Sequence, residues 1–258
     1  MEDLGIRQDD LVFLFSGMRD FGLVENGPKG VLEVFQDYLQ DGALIIPTFT
    51  YSWSNNESFN KENTSAPLMG LIANESLSTD GFLRTNHPNF SVNIYSRNED
   101  IIKKILPCSN DSFGEGSIFH NLYLNFPKAK ILLLGGVFPD CTYRSTFIHT
   151  AQQIGGAWYR YLKKFKDPND GAKEVTQFVR FMDIGEFESI NSQVPPPYYG
   201  FPIIENFRQH SLDLSDQGIL VTRSFGYGNS RLVTIGASID CFREGLSRNE
   251  SYGLLNYA

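Results

Sequence analysis

Four histidines, His87, His120, His149 and His210, are the first candidates for proton transfer in this chain. An imidazole titrates close to neutral pH, so any of them could serve as a general base, and the setting has to choose among them. His149 has the most telling setting. It follows a glycine-ended apolar run, lies beside Ser145, Thr146 and Gln152, and has no cysteine or second histidine at metal-ligand spacing. It reads as a general base and not as a metal ligand. A Gly-x-Ser-x-Gly nucleophile elbow is absent, because Gly114-Glu115-Gly116-Ser117 has the small residues in the wrong order. That block closes a simple turn, or it offers backbone N–H groups and a hydroxyl to an anionic or amide-rich ligand. The Ser16-Gly17 turn is a second place to hold a ligand.

The elements that must carry these residues follow from the apolar pattern. Leu11–Phe15, Ala43–Pro47, a segment near Phe90–Tyr95, Lys128–Val137 and Arg231–Ile235 read as strands. Residues 28–40 read as a helix, with Pro28 in its first turn and Gly42 beyond its end. Further helices are expected from Pro67 through Ile72, over Ile101–Leu106, over 145–162 despite Gly155-Gly156, and over 237–246. Residues 166–173 read as a hairpin-like turn between Tyr159-Arg160-Tyr161 and Val175–Met182, and Pro195-Pro196-Pro197 as the start of an extended segment. Residues 51–65, polar but carrying Tyr51 and Trp53, suggest a lid. Alternating strands and helices define an α/β chain.

With 258 residues, 41% hydrophobic and 20% charged, the chain is an ordinary globular protein of one domain or two intimate lobes over 1–258. Its net charge of −8 repels phosphate backbones and anionic lipid, so no nucleic acid is expected, and apolar runs such as Leu11–Phe15 and Ile131–Leu134 are too short to span a bilayer, so no membrane insertion is expected. Three widely spaced cysteines, Cys108, Cys141 and Cys241, fit neither a disulfide framework nor a zinc knuckle. With an acidic N-terminus unlike a secretory leader, they point to the cytoplasm. A monomer or homodimer is expected.

Five ordered blocks then converge: Phe15-Ser16-Gly17-Met18-Arg19-Asp20-Phe21-Gly22 with Gly27-Pro28; Ile46-Pro47-Thr48-Phe49-Thr50; Asn86-His87-Pro88 with Ser91-Val92; Phe113-Gly114-Glu115-Gly116-Ser117; and Ser145-Thr146-Phe147-Ile148-His149-Thr150-Ala151. Together they resemble the aminoglycoside 3-N-acetyltransferase family over roughly residues 10–165, with looser likeness at Gly185-Glu186-Phe187 and Gly228-Asn229-Ser230-Arg231. The resemblance implies a mixed, largely antiparallel central sheet flanked by helices, and transfer of an acyl group from acyl-CoA, acetyl-CoA or a longer one, to an amine. It carries the general base to His149, and coenzyme A contacts to Ser16, Arg19, Ser91, Val92, Phe113, Gly114 and Ser117. A carboxylate should hold the imidazole tautomer, and Glu186 is the candidate, with Glu188 and Asp140 in reserve.

The departures bear on the acceptor. The antibiotic-modifying members usually have a histidine where Phe15 stands and a carboxylate where Gln152 stands. A neutral Gln152 with Tyr51 and Trp53 suits a less cationic acceptor than an aminoglycoside, with Gln152 hydrogen-bonding the sugar or the imidazole. The chain also looks like the family branch of bacterial surface-polysaccharide pathways, where the acceptor is a nucleotide-linked (dTDP-type) amino deoxysugar. An aminoglycoside 3-N-acetyltransferase and an inactive protein that binds coenzyme A or a sugar are the alternatives.

Overall fold

Strand β1 (Leu11–Gly17) is apolar at every position from Leu11 to Phe15 because both faces of it are covered. Leu11, Phe13 and Phe15 point into one core, Val12 and Leu14 into the other. The same alternation runs through β2 (Ala43–Pro47) and β5 (Lys130–Gly135), which lie parallel to β1 on either side of it. Antiparallel strands extend this centre: β4 (Val92–Tyr95) and the short β3 (Leu83–Arg84) beyond β2, then β9 (Gly228–Thr234) and β8 (Val221–Phe225) beyond β5. The result is a seven-stranded sheet in the order β3-β4-β2-β1-β5-β9-β8, mixed and largely antiparallel as expected. The computed structural model describes the chain except for residues 56, 136–144, 168–170, 172–173, 192–199 and 256–258. Asp140, Cys141 and the Pro195-Pro196-Pro197 segment lie outside the described residues.

Helices α1 (Gly27–Tyr38) and α2 (Leu71–Ser78) cover one face of the sheet through Leu32, Phe35 and Ile72. The opposite face carries α3 (Glu99–Ile105), α4 (Ile118–Asn125), α5 (Ser145–Gly155) and α8 (Ile235–Arg248), packed through Ile105, Phe119, Phe147 and Phe242. A separate hairpin, β6 (Arg160–Lys166) with β7 (Glu174–Arg180), stands on that side, followed by α6 (Ile184–Ile190) and α7 (Arg208–Asp216). The helix expected from Pro67 through Ile72 begins instead at Leu71. Pro67–Met69 form a single tight turn, and Gly70, at φ 88°, resets the backbone direction.

The expected helix over 145–162 divides. It ends at Gly155, Gly156 adopts the left-handed conformation at φ 69°, and the N–H of Ala157 closes on the carbonyl of Gln152 at 2.9 Å. Gly155 is also where α5 comes close to α8, since a Cβ there would lie 3.0 Å from Leu246. The chain therefore turns back at once as β6, and Arg160 is brought to face His149, eleven residues earlier on α5. A Cβ at Gly156 meets nothing within 4 Å, so Gly156→Ala is opposed by backbone conformation alone. It should lower the unfolding free energy by about 1 kcal/mol. Urea unfolding would read this as a lower midpoint at unchanged slope.

Candidate active site

His149 is presented by α5 into a cavity of about 670 Å³ that lies between α5, the β6–β7 hairpin and the loop at Phe113. The imidazole Nδ1 donates to Gln152 Oε1 at 2.8 Å, one helical turn away on the same face. The second nitrogen, Nε2, accepts from Arg160 Nη2 at 3.2 Å. Phe113 and Phe207 wall the ring edge-on, with centroids at 5.1 and 6.1 Å. Burial lowers the imidazole pKa, the Arg160 charge adds to the effect, and Glu205 with Gln152 opposes it only partly, leaving a value of about 3. His149 is therefore neutral across the physiological range.

Arg160 is itself held by a carboxylate. Its Nε donates to Glu205 Oε1 at 2.8 Å and its Nη2 to Glu205 Oε2 at 2.6 Å, a two-pronged pair with side chains only 8% and 10% exposed. Arg160 Nη1 donates to the Phe178 carbonyl at 2.7 Å, which secures the guanidinium to β7. Glu205 Oε1 also accepts from Gln152 Nε2 at 2.9 Å. Burial alone would raise the Glu205 pKa, but the charge and hydrogen bonds of Arg160, helped by His149 and Gln152, hold it at about 2. Backbone pairing fixes the segment that carries Glu205: Asn206 N–H donates to the Gly253 carbonyl at 2.8 Å, and Leu255 N–H to the Ile204 carbonyl at 2.9 Å.

The loop before α4 sets Phe113 against the imidazole. Asp111 Oδ1 accepts the N–H groups of Phe113 at 2.9 Å and Gly114 at 2.6 Å. Glycine suits position 114, because a Cβ there would lie 2.0 Å from Gln153 Nε2 on α5 and 3.0 Å from Asp111 Oδ1. The cationic side of the cavity is the hairpin, from which Lys163 and Arg180 join Arg160. Lys163 pairs with Glu186 at 3.2 Å. Arg180 donates to the Ile203 carbonyl at 3.2 Å and, among the described residues, has no carboxylate within ion-pair distance.

A family model described as aminoglycoside 3-N-acetyltransferase matches residues 13–247. The chain belongs to that family. No curated protein matches it, but solved structures do. The aminoglycoside acetyltransferase AAC(3)-IVa as apoenzyme is 18% identical, with a TM-score of 0.75 over 98% of this chain and 87% of that one. A mutant of AAC(3)-IVa in complex with a gentamicin is 18% identical, TM-score 0.70, covering 96% and 85%. The binary complex of AAC-IIIb with CoASH is 17% identical, TM-score 0.70, covering 98% and 94%. As a member of the aminoglycoside 3-N-acetyltransferase family the protein is an acetyl-CoA-dependent N-acetyltransferase.

Within this family member, the residues expected to serve separate into groups. His149, Phe113 and Tyr51 border the cavity, Tyr51 being 42% exposed and packed edge-on to Phe90. Gln152 does bind the imidazole, but at 0% exposure it has no access to a sugar. Trp53 is 3% exposed and packs on Phe165 at 6.4 Å, so it fastens the aromatic loop to the hairpin instead of covering a ligand. Glu186 borders the cavity without touching the imidazole. Its carboxylate accepts from the Tyr161 hydroxyl, Lys163 and the Met182 N–H, the Tyr161 bond above all holding its pKa below the usual carboxylate range. The carboxylate linked to the imidazole, through Gln152 and Arg160, is Glu205.

Five of the seven expected coenzyme A contacts are buried, and each has a place in the fold as well. Ser91 Oγ donates to the Thr48 carbonyl at 2.8 Å, and Val92 N–H to Thr85 Oγ1 at 3.0 Å. Ser117 caps α4 by accepting the His120 N–H at 3.2 Å. Phe113 and Gly114 shape the loop against α5. Ser16 is half-buried and Arg19 exposed where β1 ends, and these two stay accessible. Of the other histidines, His87 accepts the Phe90 N–H at 3.0 Å within a turn, and His210, 1% exposed, bonds the Ser238 carbonyl at 2.9 Å, while His120 lies on α4.

Glu205 and Arg160 were the residues the sequence did not flag. The available signals were an acid set in the run Ile203-Ile204-Glu205-Asn206-Phe207, and an arginine between Tyr159 and Tyr161. Both groups with depressed values, His149 at about 3 against 6.5 and Glu205 at about 2 against 4.5, bind fewer protons folded than unfolded. Their contribution to stability is complete above about 6.5 and is lost as pH falls toward 2. The urea midpoint should therefore fall steadily from pH 7 to pH 4. In His149→Gln, which cannot take up a proton, the fall between pH 6.5 and 5 should flatten.

Proposed function

We propose that this N-acetyltransferase acts on an anionic acceptor, the amine of a nucleotide-linked (dTDP-type) amino deoxysugar, with His149 as general base. The observation that carries the reading is the charge of the cavity wall. Arg160 and Lys163 are matched by Glu205 and Glu186, and Arg180 is left, among the described residues, with a carbonyl and no carboxylate. An aminoglycoside brings several positive charges to that excess cation, whereas a diphosphate brings the charge it lacks. The second reading, an aminoglycoside acceptor, has in its favour the family itself and the relative that holds a gentamicin.

The base works through Nε2. An ammonium is not a nucleophile, so the acceptor first gives one proton to solvent, and the free amine sheds a second as its nitrogen attacks the thioester carbonyl carbon. The proton passes to Nε2, the new C–N bond forms, the C–S bond breaks, and the departing sulfur ends as a thiol by taking up one proton in return. For this the acceptor amine has to replace Arg160 Nη2 on the imidazole. Arg160 can yield that one contact of 3.2 Å because Glu205 and the Phe178 carbonyl still hold it. Losing that contact relieves the Arg160 part of the lowered basicity, while burial, the larger cause, remains. Ser16 and Arg19 are the residues that would hold acetyl-CoA, the exposed guanidinium suiting its phosphates.

A thiol-release assay with acetyl-CoA decides the acceptor. Turnover with dTDP-amino sugars above that with gentamicin-like antibiotics supports the proposal, and the reverse order overturns it in favour of the second reading. Calorimetric binding of coenzyme A with no thioester cleavage, whatever the amine, would make the protein a binding protein only. His149→Ala should lower kcat by roughly 10²–10⁴-fold with little change in acetyl-CoA affinity. Arg180→Ala should raise KM about tenfold for a phosphate-bearing acceptor and leave that for an uncharged amine near wild type. Arg19→Ala should raise KM for acetyl-CoA alone.

A further inference from the structure

Two observations fix the polarity of the hydrogen-bond chain behind His149. A side-chain amide can point either way, and its neighbours decide which end is oxygen. Gln152 meets Glu205 Oε1 at 2.9 Å, and an ionised carboxylate can only accept. It also meets the Tyr159 hydroxyl at 3.2 Å, and that O–H is already donated to the Tyr252 carbonyl at 2.7 Å, so its oxygen accepts too. Both neighbours demand the NH₂ end. The amide oxygen must then face Nδ1 of His149, which must carry the proton, and Nε2 is left as the lone pair. The amide and the hydroxyl between them are buried, Gln152 and Tyr159 both at 0% exposure, so water does not offer the amide an alternative partner.

We propose that Glu205 is the positioning residue of the base: through the amide of Gln152 it selects the Nδ1–H tautomer of His149, and through Arg160 it holds the group that screens Nε2 until an acceptor arrives. This rests on His149 acting as the base. The charged groups that face the imidazole are Arg160 from β6, Arg180 from β7 and Glu205 itself, with Tyr159 behind Gln152. Of these, Glu205 alone bonds both Gln152 and Arg160. When the imidazole takes up its proton, the Nδ1–H bond to Gln152 strengthens, and Glu205 stabilises the polarised amide from its far side. A carboxylate bonded directly to an imidazole does this in one step. Here an amide stands between, and Glu205 comes from a segment more than fifty residues further along the chain.

The test reads the tautomer directly, by nitrogen NMR of the histidine-labelled protein at pH 7.5, and the rate separately. In the wild type, the His149 Nδ1 should show a protonated, pyrrole-like shift and Nε2 an unprotonated one. Glu205→Gln should bring in the opposite tautomer and lower kcat roughly 10²-fold, less than the ~10⁴-fold seen when a directly bonded carboxylate is neutralised. The acid limb of its kcat/KM profile should shift as well. Because Glu205→Gln leaves Arg160 without its anion and can cost stability, the charge-conserving pair Gln152→Glu with Glu205→Gln completes the test. That double variant places the carboxylate directly on Nδ1 and should recover at least tenfold of the lost rate, whereas Gln152→Glu alone sets two carboxylates against each other and should not. An Nε2–H tautomer in the wild type overturns the proposal, as does a Glu205→Gln protein with unchanged tautomer and pH profile. The NMR result stands whether or not any acceptor is turned over, so failure of the assigned function and failure of this relay are told apart.

Discussion

The buried pair of Arg160 and Glu205 is the interaction on which the site depends. Neither charge tolerates this environment alone, since removing one partner of a buried ion pair costs about 3–5 kcal/mol. Each therefore compels the other into place, and the additional bonds they make tie down the Phe178 carbonyl on β7 and Gln152 and His149 on α5, while the neighbours Ile204 and Asn206 pair with Leu255 and Gly253. A neutral pair of residues could fill the same space, but could not dictate the polarity of its neighbours. Charge makes the arrangement directional.

Much of the frame could be read from the sequence because local signals and burial agree there. The runs Leu11–Phe15 and Ala43–Pro47 are apolar throughout, as strands covered on both faces must be, and Pro28 and Gly42 bracket α1. The contact of His149 with Gln152 was legible for a related reason: the two sit one turn apart on one helix, so their spacing states it. The remainder of the site is assembled from distant segments. Nothing in the neighbourhood of Glu205 announces that it will meet Arg160, forty-five residues earlier, and the helical pattern of 145–162 runs on past the point where Gly156 reverses the chain. Serines and glycines carry a second role that their spacing does not show. Ser91, Ser117 and Gly114 are suited to touching ligands, yet in this protein those properties are spent on a carbonyl, a helix start and a close helix approach.

The aromatic loop shows how a polar segment can be fastened by two side chains. Arg84 donates Nε to Ser91 Oγ at 3.0 Å and Nη2 to the Thr48 carbonyl at 2.8 Å, while its Nη1 reaches the carbonyl of Thr64. The guanidinium also lies 5.0 Å from the ring of Phe59, and burial pulls its pKa down to about 10. Trp53 provides the other fastening, on Phe165 of the hairpin. Loop and hairpin thus form one wall of the cavity, and Tyr51 is the part of that loop left facing a ligand.

The backbone pairing behind Glu205 has a consequence for how the protein comes into being on the ribosome. Tyr159 is bonded to the Tyr252 carbonyl, and Asn206 to that of Gly253. The nascent chain therefore emerges with its imidazole, its amide and its arginine already synthesised but without the residues that align them. Until about residue 255 clears the exit tunnel, Arg160 has no settled anion and the imidazole no enforced proton position. The alignment of Glu205 thus waits until every strand of the seven-stranded sheet has been synthesised, and a chain interrupted at about residue 250 would carry those strands without the pairing that holds Glu205.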